Sequence, residues 1–382
     1  MRVLIDYRPA LRERSGSGEY THQLVKALLA STFETNEARA LDVTLFSSSW
    51  NDRLTPTPDV SRAAIVDRRV PVRLLNLAWH RLGWPPAEWL AGGTFEVVHS
   101  PHPLLLPARH AAQVITIHDL NFLTHPERTR AEIRRDYAAL ARGHAHRADA
   151  VLVPSAYTAG EVERLLGVPR ERLAICPPGA PDWIPRSAPP KDGYVLFFST
   201  LEPRKNVGGL LDAYERVIAR DGLKIVPELI LAGKTTDAAR GWLDRIERPP
   251  LRGFVRHIGY VDTADRRALL EGARLLVQPS FDEGFGMAVL DAMAVGVPIV
   301  AADRGSLPEV LDGAGLLVDP NQPADIAHAI GRLLDDDGLV LSCVEKGLAR
   351  ARAFRWDDTA RRVYMTYLTA IERRRARTPA RT

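Results

Sequence analysis

The 382-residue chain predicts an α/β protein of two doubly wound, Rossmann-like domains facing a cleft. Three observations point there. The length exceeds what one hydrophobic core usually organises. Short β-rich apolar runs alternate with amphipathic stretches of helical period, the rhythm of parallel sheets covered by helices. A proline-rich stretch, Pro177-Pro178-Gly179-Ala180-Pro181 and then Pro185 to Pro190, interrupts that rhythm at mid-chain, where neither a sheet nor a helix can continue.

Taken in order, the first series of strands is expected at Val3–Asp6, Val43–Phe46, Glu96–Ser100, Val114–Ile117, Ala150–Val153 and Leu173–Cys176, with helices over 18–31, 130–147 and 157–166. The second series is expected at Tyr194–Ser199, Leu229–Ala232, His257–Gly259, Leu275–Gln278, Pro298–Ala301 and Leu316–Val318, with helices over 207–220, 237–247, 264–272, 287–295 and 324–334. The expected domains are therefore 1–184 and 191–352. A helix over 353–373 carries Val363, Tyr364, Tyr367, Leu368 and Ile371 on one side and packs back, and a basic tail follows over 374–382. Asp335-Asp336-Asp337 before Gly338 reads as a solvated turn rather than a metal site.

Composition narrows the function classes. With 46% hydrophobic and 26% charged residues the chain is an ordinary globular one. Its longest apolar run, Ala292–Ala302, is eleven residues, short of a bilayer span. The start, Met1 to Arg8, meets Asp6 before any signal-like apolar region forms. Cys176 and Cys343 lack metal-ligand spacing and read as reduced thiols, so a cytoplasmic protein is expected. The net charge of +4 comes from a carboxyl-terminal cluster, Arg373, Arg374, Arg375, Arg377 and Arg381; without those five the body stands near −1. That cluster reads as a solvated end, with a surface anchor for anionic lipid as the alternative, and no nucleic-acid partner is expected.

Ligands of doubly wound sheets bind beyond the carboxyl ends of the strands, so the chemistry should sit there. The densest signal is Pro279-Ser280-Phe281-Asp282-Glu283-Gly284-Phe285-Gly286-Met287, a strand end, a glycine-interrupted turn and a helix start. Gly284 and Gly286 let backbone approach a ligand, and the amides of the following helix start suit a phosphate or a polar sugar. Glu283 in the loop and Asp291 one turn into the helix can both accept hydrogen bonds from hydroxyls; a capping acid and a solvated helix Asp are the bland alternative. Arg204 and Lys205, after the strand ending at Ser199, are placed to meet a diphosphate, where a surface charge pair is the alternative. In the first half, Ser15-Gly16-Ser17-Gly18 follows the opening strand without completing a dinucleotide fingerprint, and His118-Asp119 ends another strand, where a hydrogen-bonded core histidine is the ordinary outcome.

Together these residues resemble glycosyltransferase family 4, retaining enzymes of the GT-B fold. Glu283 to Asp291 is similar to the family's Glu, seven residues, Glu signature, flanked in the expected order by Ile258-Gly259-Tyr260-Val261, Gly305 to Glu309 and Gly315 to Pro320. Thr200 to Asn206, and His118-Asp119-Leu120 with Pro126-Glu127, look most like the mannosyl- and rhamnosyltransferases of bacterial surface polysaccharides. The resemblance implies a nucleoside-diphosphate sugar such as GDP-mannose as donor, a glycan or lipid-linked acceptor, and no cofactor or metal. It implies that His118, Arg204, Lys205 and Glu283 are catalytic, and that Gly16, Gly18, Gly259, Tyr260, Val261, Gly284, Phe285, Gly286, Met287 and Asp291 bind the donor. Three positions depart from the pattern: Asp291 replaces Glu, Thr200 stands where many relatives carry Arg, and Glu19 where they often carry Arg. A nucleotide-sugar epimerase and a silent sugar-nucleotide binder remain open beside the transferase. Val70–Trp84 mixes aromatic, apolar and basic residues and reads either as an interfacial helix, giving peripheral contact at the inner face of the membrane, or as a core-facing one.

Overall fold

The computed structural model describes every residue except 12, 13, 15, 34–39, 56, 127–130, 221–225 and 378–382, and only the backbone of 131–136. Ser15, Glu127 and Arg381 therefore lie outside the described residues. The chain divides into two compact units, Met1–Gly179 with Arg355–Thr382, and Ala180–Phe354.

The first unit holds strands β1 (Arg2–Asp6), β2 (Asp42–Ser48), β3 (Ala64–Arg68), β4 (Val97–Ser100), β5 (Ala112–Thr116), β6 (Ala150–Val153) and β7 (Leu173–Ile175). Its helices are α1 (Ser17–Ala30), α2 (Val72–Leu77), α3 (Ala87–Ala91), α4 (Asn121–Thr124), α5 (Ala131–Arg147) and α6 (Ala156–Glu161). The second unit holds β8 (Tyr194–Phe198), β9 (Leu229–Ala232), β10 (Val255–Gly259), β11 (Ala273–Gln278), β12 (Ile299–Ala302) and β13 (Leu316–Val318). Its helices are α7 (Val207–Ile218), α8 (Arg240–Ile246), α9 (Arg266–Glu271), α10 (Met287–Val295), α11 (Leu307–Leu311), α12 (Pro323–Asp335) and α13 (Asp337–Ala351); α14 (Trp356–Arg377) returns to the first unit.

Both sheets are wholly parallel, in the orders β3-β2-β1-β4-β5-β6-β7 and β10-β9-β8-β11-β12-β13. Parallel strands need covering on both faces, and β6, β8, β9 and β12 are apolar throughout. In the second unit Leu210, Tyr214, Ile326 and Ile330 of α7 and α12 bury one face of the sheet. Leu290, Met293 and Leu307 of α10 and α11 bury the other. Burying each such side chain fully contributes about 1.5–3 kcal/mol. In both orders the chain starts a sheet centrally, walks to one edge and then returns past the starting strand, so β1/β4 and β8/β11 are the switch points where loops diverge.

Several expectations need correction. β3 was not anticipated; it is an edge strand of half-buried residues, so it lacks the continuous apolar run of the central strands. The helix expected over 157–166 changes at Val162 from α to a π segment, Val162–Leu166. The proline-rich junction belongs to the second unit from Ala180 onward, where the Ala180 amide donates to Phe354 O (2.9 Å) and the Arg186 amide to Val295 O (3.0 Å). Asp335 to Asp337 is not a free turn: the Asp336 carboxylate caps α13 by accepting from the Leu339 amide (2.9 Å), and Asp335 pairs with Arg220. The basic cluster is not a loose end either. α14 continues to Arg377, and Arg373 donates to Asp149 O (3.2 Å), Arg374 to Arg109 O (3.3 Å) and Arg377 to the Asp149 carboxylate (3.2 Å). Tyr367, on the buried side of α14, bonds His99 of β4 (2.7 Å).

Candidate active site

The loops after β8 and β11 are brought side by side because those two strands pair. After β8 the chain forms a short turn, Pro203–Lys205, and then Asn206 takes a left-handed conformation (φ +58°). Its side chain caps α7 by accepting from the Gly209 amide (3.2 Å) and donates to Pro320 O (2.7 Å). The β11 loop is tied to this turn where the Phe281 amide donates to Arg204 O (2.8 Å). Lys205 is buried as a result and points its ammonium at the buried Glu283.

Glu283 is the hub of the second unit's site. Its Oε1 accepts from Lys205 Nζ (2.5 Å), Gln278 Nε2 (2.8 Å) and Ser280 Oγ (2.9 Å). Its Oε2 lies 3.6 Å from the Arg204 guanidinium, which also donates to Glu202 (2.6 Å) and to Asp282 O (3.2 Å). Burial pushes the Glu283 carboxyl up, but Lys205, Arg204 and the hydrogen bonds outweigh it and hold it at about 2. At neutral pH Glu283 is thus an ionised carboxylate between Lys205 and Arg204, and Arg204 is shared with Glu202.

The β12–α11 loop holds Glu283 from behind. Ser306 donates to Glu283 O through its amide (2.9 Å) and its hydroxyl (3.0 Å). Gly305 has φ +63°, and a Cβ there would lie 2.7 Å from Glu283 N and O. Gly286 (φ +95°) starts α10, and a Cβ on it would meet Leu307 at 2.8 Å. The first amides of α10, beginning at Met287, stand next to Glu283 with the partial positive charge of a helix start. Gly284 and Phe285 are buried beneath them, and Asp291 is half-buried one turn along.

The remaining donor-side candidates sit at the end of β10. Gly259 accepts from the Gly233 amide (2.7 Å), and the ring of Tyr260 lies 4.9 Å under Lys234 Nζ. Val261 packs on the second unit's core.

In the first unit, His118 follows β5 directly. It bonds the Pro101 backbone as the hydrogen-bonded core histidine of the sequence reading would, but its buried Nε2 has no hydrogen-bond partner among the described residues. Burial pushes its pKa down to about 4, opposed by Asp119 and by the bond to the Pro101 backbone. Tyr20 of α1 meets its ring edge-on at 5.0 Å. Gly16 (φ +52°) precedes α1, and Gly18 fills a packing need, since a Cβ there would lie 2.4 Å from Pro9 O.

The structure brings Arg204, Lys205, Glu283, Gly284, Gly286 and Met287 together in one unit, while His118, Gly16 and Gly18 lie in the other. Sequence reasoning missed Gln278, Ser280, Gly305 and Ser306 as partners of Glu283, and Lys234 beside Tyr260. The Leu-Ile-Leu-Ala-Gly-Lys run at the end of β9 carried the signal for Lys234. It also missed a buried cluster at the end of β1: Asp6 accepts from Arg8 Nε (2.8 Å) and Nη2 (2.6 Å), and Arg8 in turn donates to Asn76 of α2 (2.9 Å). Burial raises the Asp6 carboxyl, yet Arg8 and His102 hold it far below the usual carboxylate range.

Comparison with known proteins agrees with this architecture. Residues 14–182 match the model of Glycosyltransferase Family 4, and residues 192–336 that of Glycosyl transferases group 1. The O-antigen chain mannosyltransferase B of Escherichia coli is 31% identical, covering 96% of this chain and 99% of that one. The D-inositol 3-phosphate glycosyltransferase of Acidothermus cellulolyticus is 28% identical over 96% of this chain and 88% of its own. Among solved structures, sucrose-phosphate synthase from Thermosynechococcus elongatus superposes with a TM-score of 0.74 at 19% identity, over 96% of this chain and 98% of that one, a likeness of fold. With two parallel, helix-covered sheets of the GT-B kind and 31% identity to a mannosyltransferase along 96% of its length, this chain belongs to glycosyltransferase family 4.

Proposed function

We propose that this glycosyltransferase moves a hexose, mannose or rhamnose, from a nucleoside-diphosphate sugar to a glycan or lipid-linked glycan in bacterial surface-polysaccharide synthesis, with retention of anomeric configuration. GDP-mannose is the favoured donor, in line with the O-antigen mannosyltransferase among its relatives. The acceptor is met on the cytoplasmic face of the membrane. The observation that carries the reading is the Lys205–Glu283–Arg204 cluster beside the start of α10, two cations and a polarised carboxylate in a buried setting.

In this reading the bond between the anomeric carbon and the phosphate oxygen breaks, and its electron pair leaves with the nucleoside diphosphate. Lys205, Arg204 and the amides at Met287 stabilise that growing charge, which is the largest single source of rate in such reactions. The acceptor hydroxyl bonds the anomeric carbon on the face the diphosphate leaves, and its proton passes to a diphosphate oxygen. Glu283 accepts hydrogen bonds from the sugar hydroxyls and Asp291 from the ribose, and His118, its Nε2 without a partner among the described residues, is the first unit's candidate for contact with substrate. The two cations supply the charge that a metal supplies elsewhere, so transfer is expected to be metal-independent.

The test is incubation of the full chain with GDP-mannose, dTDP-rhamnose and UDP-sugars, with and without a mannose-terminated glycan, and nuclear magnetic resonance of the product. Acceptor-dependent release of GDP with an α-linked product supports the reading. An isomerised sugar formed from donor alone, or binding without turnover on any acceptor, overturns it.

A further inference from the structure

A glutamate carboxyl swings easily about its last bond, because that torsion lacks sharp staggered wells. Glu283 can therefore aim an oxygen at a substrate only if its surroundings stop the swing. Its backbone is fixed by Ser306, and Lys205 and Arg204 supply counter-charge, yet two further, neutral donors converge on the same carboxyl.

The convergence is one-sided. Oε1 takes three donors: the Lys205 ammonium (2.5 Å), the Gln278 amide (2.8 Å) and the Ser280 hydroxyl (2.9 Å). A carboxylate oxygen offers roughly two lone-pair sites, so Oε1 has nothing left for a ligand. Oε2 accepts no hydrogen bond among the described residues, and Arg204 stands 3.6 Å from it, beyond hydrogen-bond reach. One oxygen is thus committed to the protein and the other is kept.

Gln278 shows that stability alone does not explain this arrangement. It closes β11 and is buried, as is Ser280. Its amide nitrogen donates to Ser280 Oγ (2.9 Å) as well as to Glu283, so both of its hydrogens are used. The amide cannot be turned over, since that would set its oxygen against the carboxylate. Its own Oε1 is left buried without a hydrogen-bond partner among the described residues. An unmet buried carbonyl is a cost that a methionine of similar length would not incur.

We propose that Gln278 and Ser280 are positioning residues which, with Lys205, lock Oε1 of Glu283 and leave Oε2 as the oxygen that accepts a hydroxyl of the donor sugar. This rests on the reading of Glu283 as the acceptor of those hydroxyls and deepens it by naming the oxygen and what aims it.

The experiment compares the full chain with its Gln278→Met and Ser280→Ala variants. The probes are GDP-mannose, dTDP-rhamnose and UDP-glucose, each beside its free nucleoside diphosphate and analogues lacking one sugar hydroxyl. Calorimetry reads binding and steady-state kinetics reads transfer. Each variant should lower kcat by roughly 10- to 100-fold, the scale of a misaimed catalytic group. Affinity for the free nucleotide, which has no sugar, and the melting temperature should stay near the parent's. One deoxygenated analogue should bind the parent at least about tenfold more weakly than the intact donor, the worth of a hydrogen bond to a charged group. In Gln278→Met that preference should disappear. Parental kcat in both variants, a hydroxyl preference unchanged in them, or a loss of free-nucleotide affinity equal to the loss in kcat would overturn the proposal. So would early melting of both variants with transfer falling only as the folded fraction falls, or a parent that binds none of the three donors. A parent that binds a donor and transfers to no acceptor defeats the transferase reading, while the binding comparison still decides this one.

Discussion

Lys205 Nζ and Glu283 Oε1 lie 2.5 Å apart although 78 residues separate them in the chain. Each is buried, and each is the other's principal counter-charge. Removing either one leaves the other buried without its principal counter-charge, which costs about 3 kcal/mol or more.

The first prediction separates that structural cost from a role in transfer. Lys205→Met and Glu283→Gln should each lower the melting temperature, and each should reduce turnover at least about 100-fold, the scale of losing one preorganised electrostatic partner. The double variant removes both charges together and should recover most of the lost stability. It should recover none of the turnover. Recovery of both would make the pair purely architectural.

His118 gives the opposite balance. Its Nε2 has no partner to lose among the described residues, so His118→Ala should cost stability only through packing and the bond to the Pro101 backbone, about 1–3 kcal/mol. Transfer should fall far more steeply, with kcat affected beyond any change in KM for donor. A variant that melts early yet turns over normally would return His118 to the core.

Acid should weaken the fold well above the titration of the carboxylates. Burial holds His80 near 3 and His118 and His144 near 4, all depressed from 6.5. A depressed group binds fewer protons folded than unfolded, so its stabilisation is whole above the unfolded value and drains as pH falls toward the folded one. Each such histidine should subtract up to about 1.4 kcal/mol per pH unit below about 6.5. Glu283 adds its loss only lower, from about 4.5 down through about 2. Urea midpoints at pH 7, 6 and 5 would measure the slope; a flat profile to pH 5 would contradict it, and His80→Asn should make the slope shallower.

Two glycines should behave differently under the same substitution. Gly305 and Gly313 both have positive φ, but a Cβ on Gly305 would strike the backbone of Glu283, whereas nothing lies within 4 Å of one on Gly313. Gly313→Ala should cost only the conformational strain, about 1 kcal/mol. Gly305→Ala must also displace Glu283, so donor affinity, read by calorimetry, should fall with stability. Equal effects at both positions would show that the loop behind Glu283 yields freely.

Much of this was readable in the sequence, and the reasons are physical. The bounds of α10 are legible because glycine stands at both ends, and both Gly286 and Gly296 are left-handed. Inner strands such as β6, β8, β9 and β12 announce themselves as unbroken apolar runs because both their faces are covered. β3 does not, since an edge strand buries less, and α13 hid behind three aspartates that look like a turn until one of them is seen capping a helix. Arg204, Lys205 and Glu283 stood out one by one as charged residues at strand ends. Their assembly was not legible, because it depends on β8 lying beside β11, a matter of strand order. Gln278 and Ser280 were invisible for the same reason: a buried amide and hydroxyl acquire meaning only once the carboxylate they serve is in place.

The route of the chain has one last consequence. The first sheet is begun by residue 2 but is finished only when α14 seats Tyr367 against His99, after the whole of the second unit has been made. During synthesis the early strands must wait, with one flank unshielded, for the last stretch to emerge from the ribosome, whereas the later unit is a continuous segment that can mature as soon as it appears. Nascent chains arrested before Arg355 should therefore carry a protease-sensitive amino-terminal half and a resistant middle, reversing the usual order in which a polypeptide consolidates.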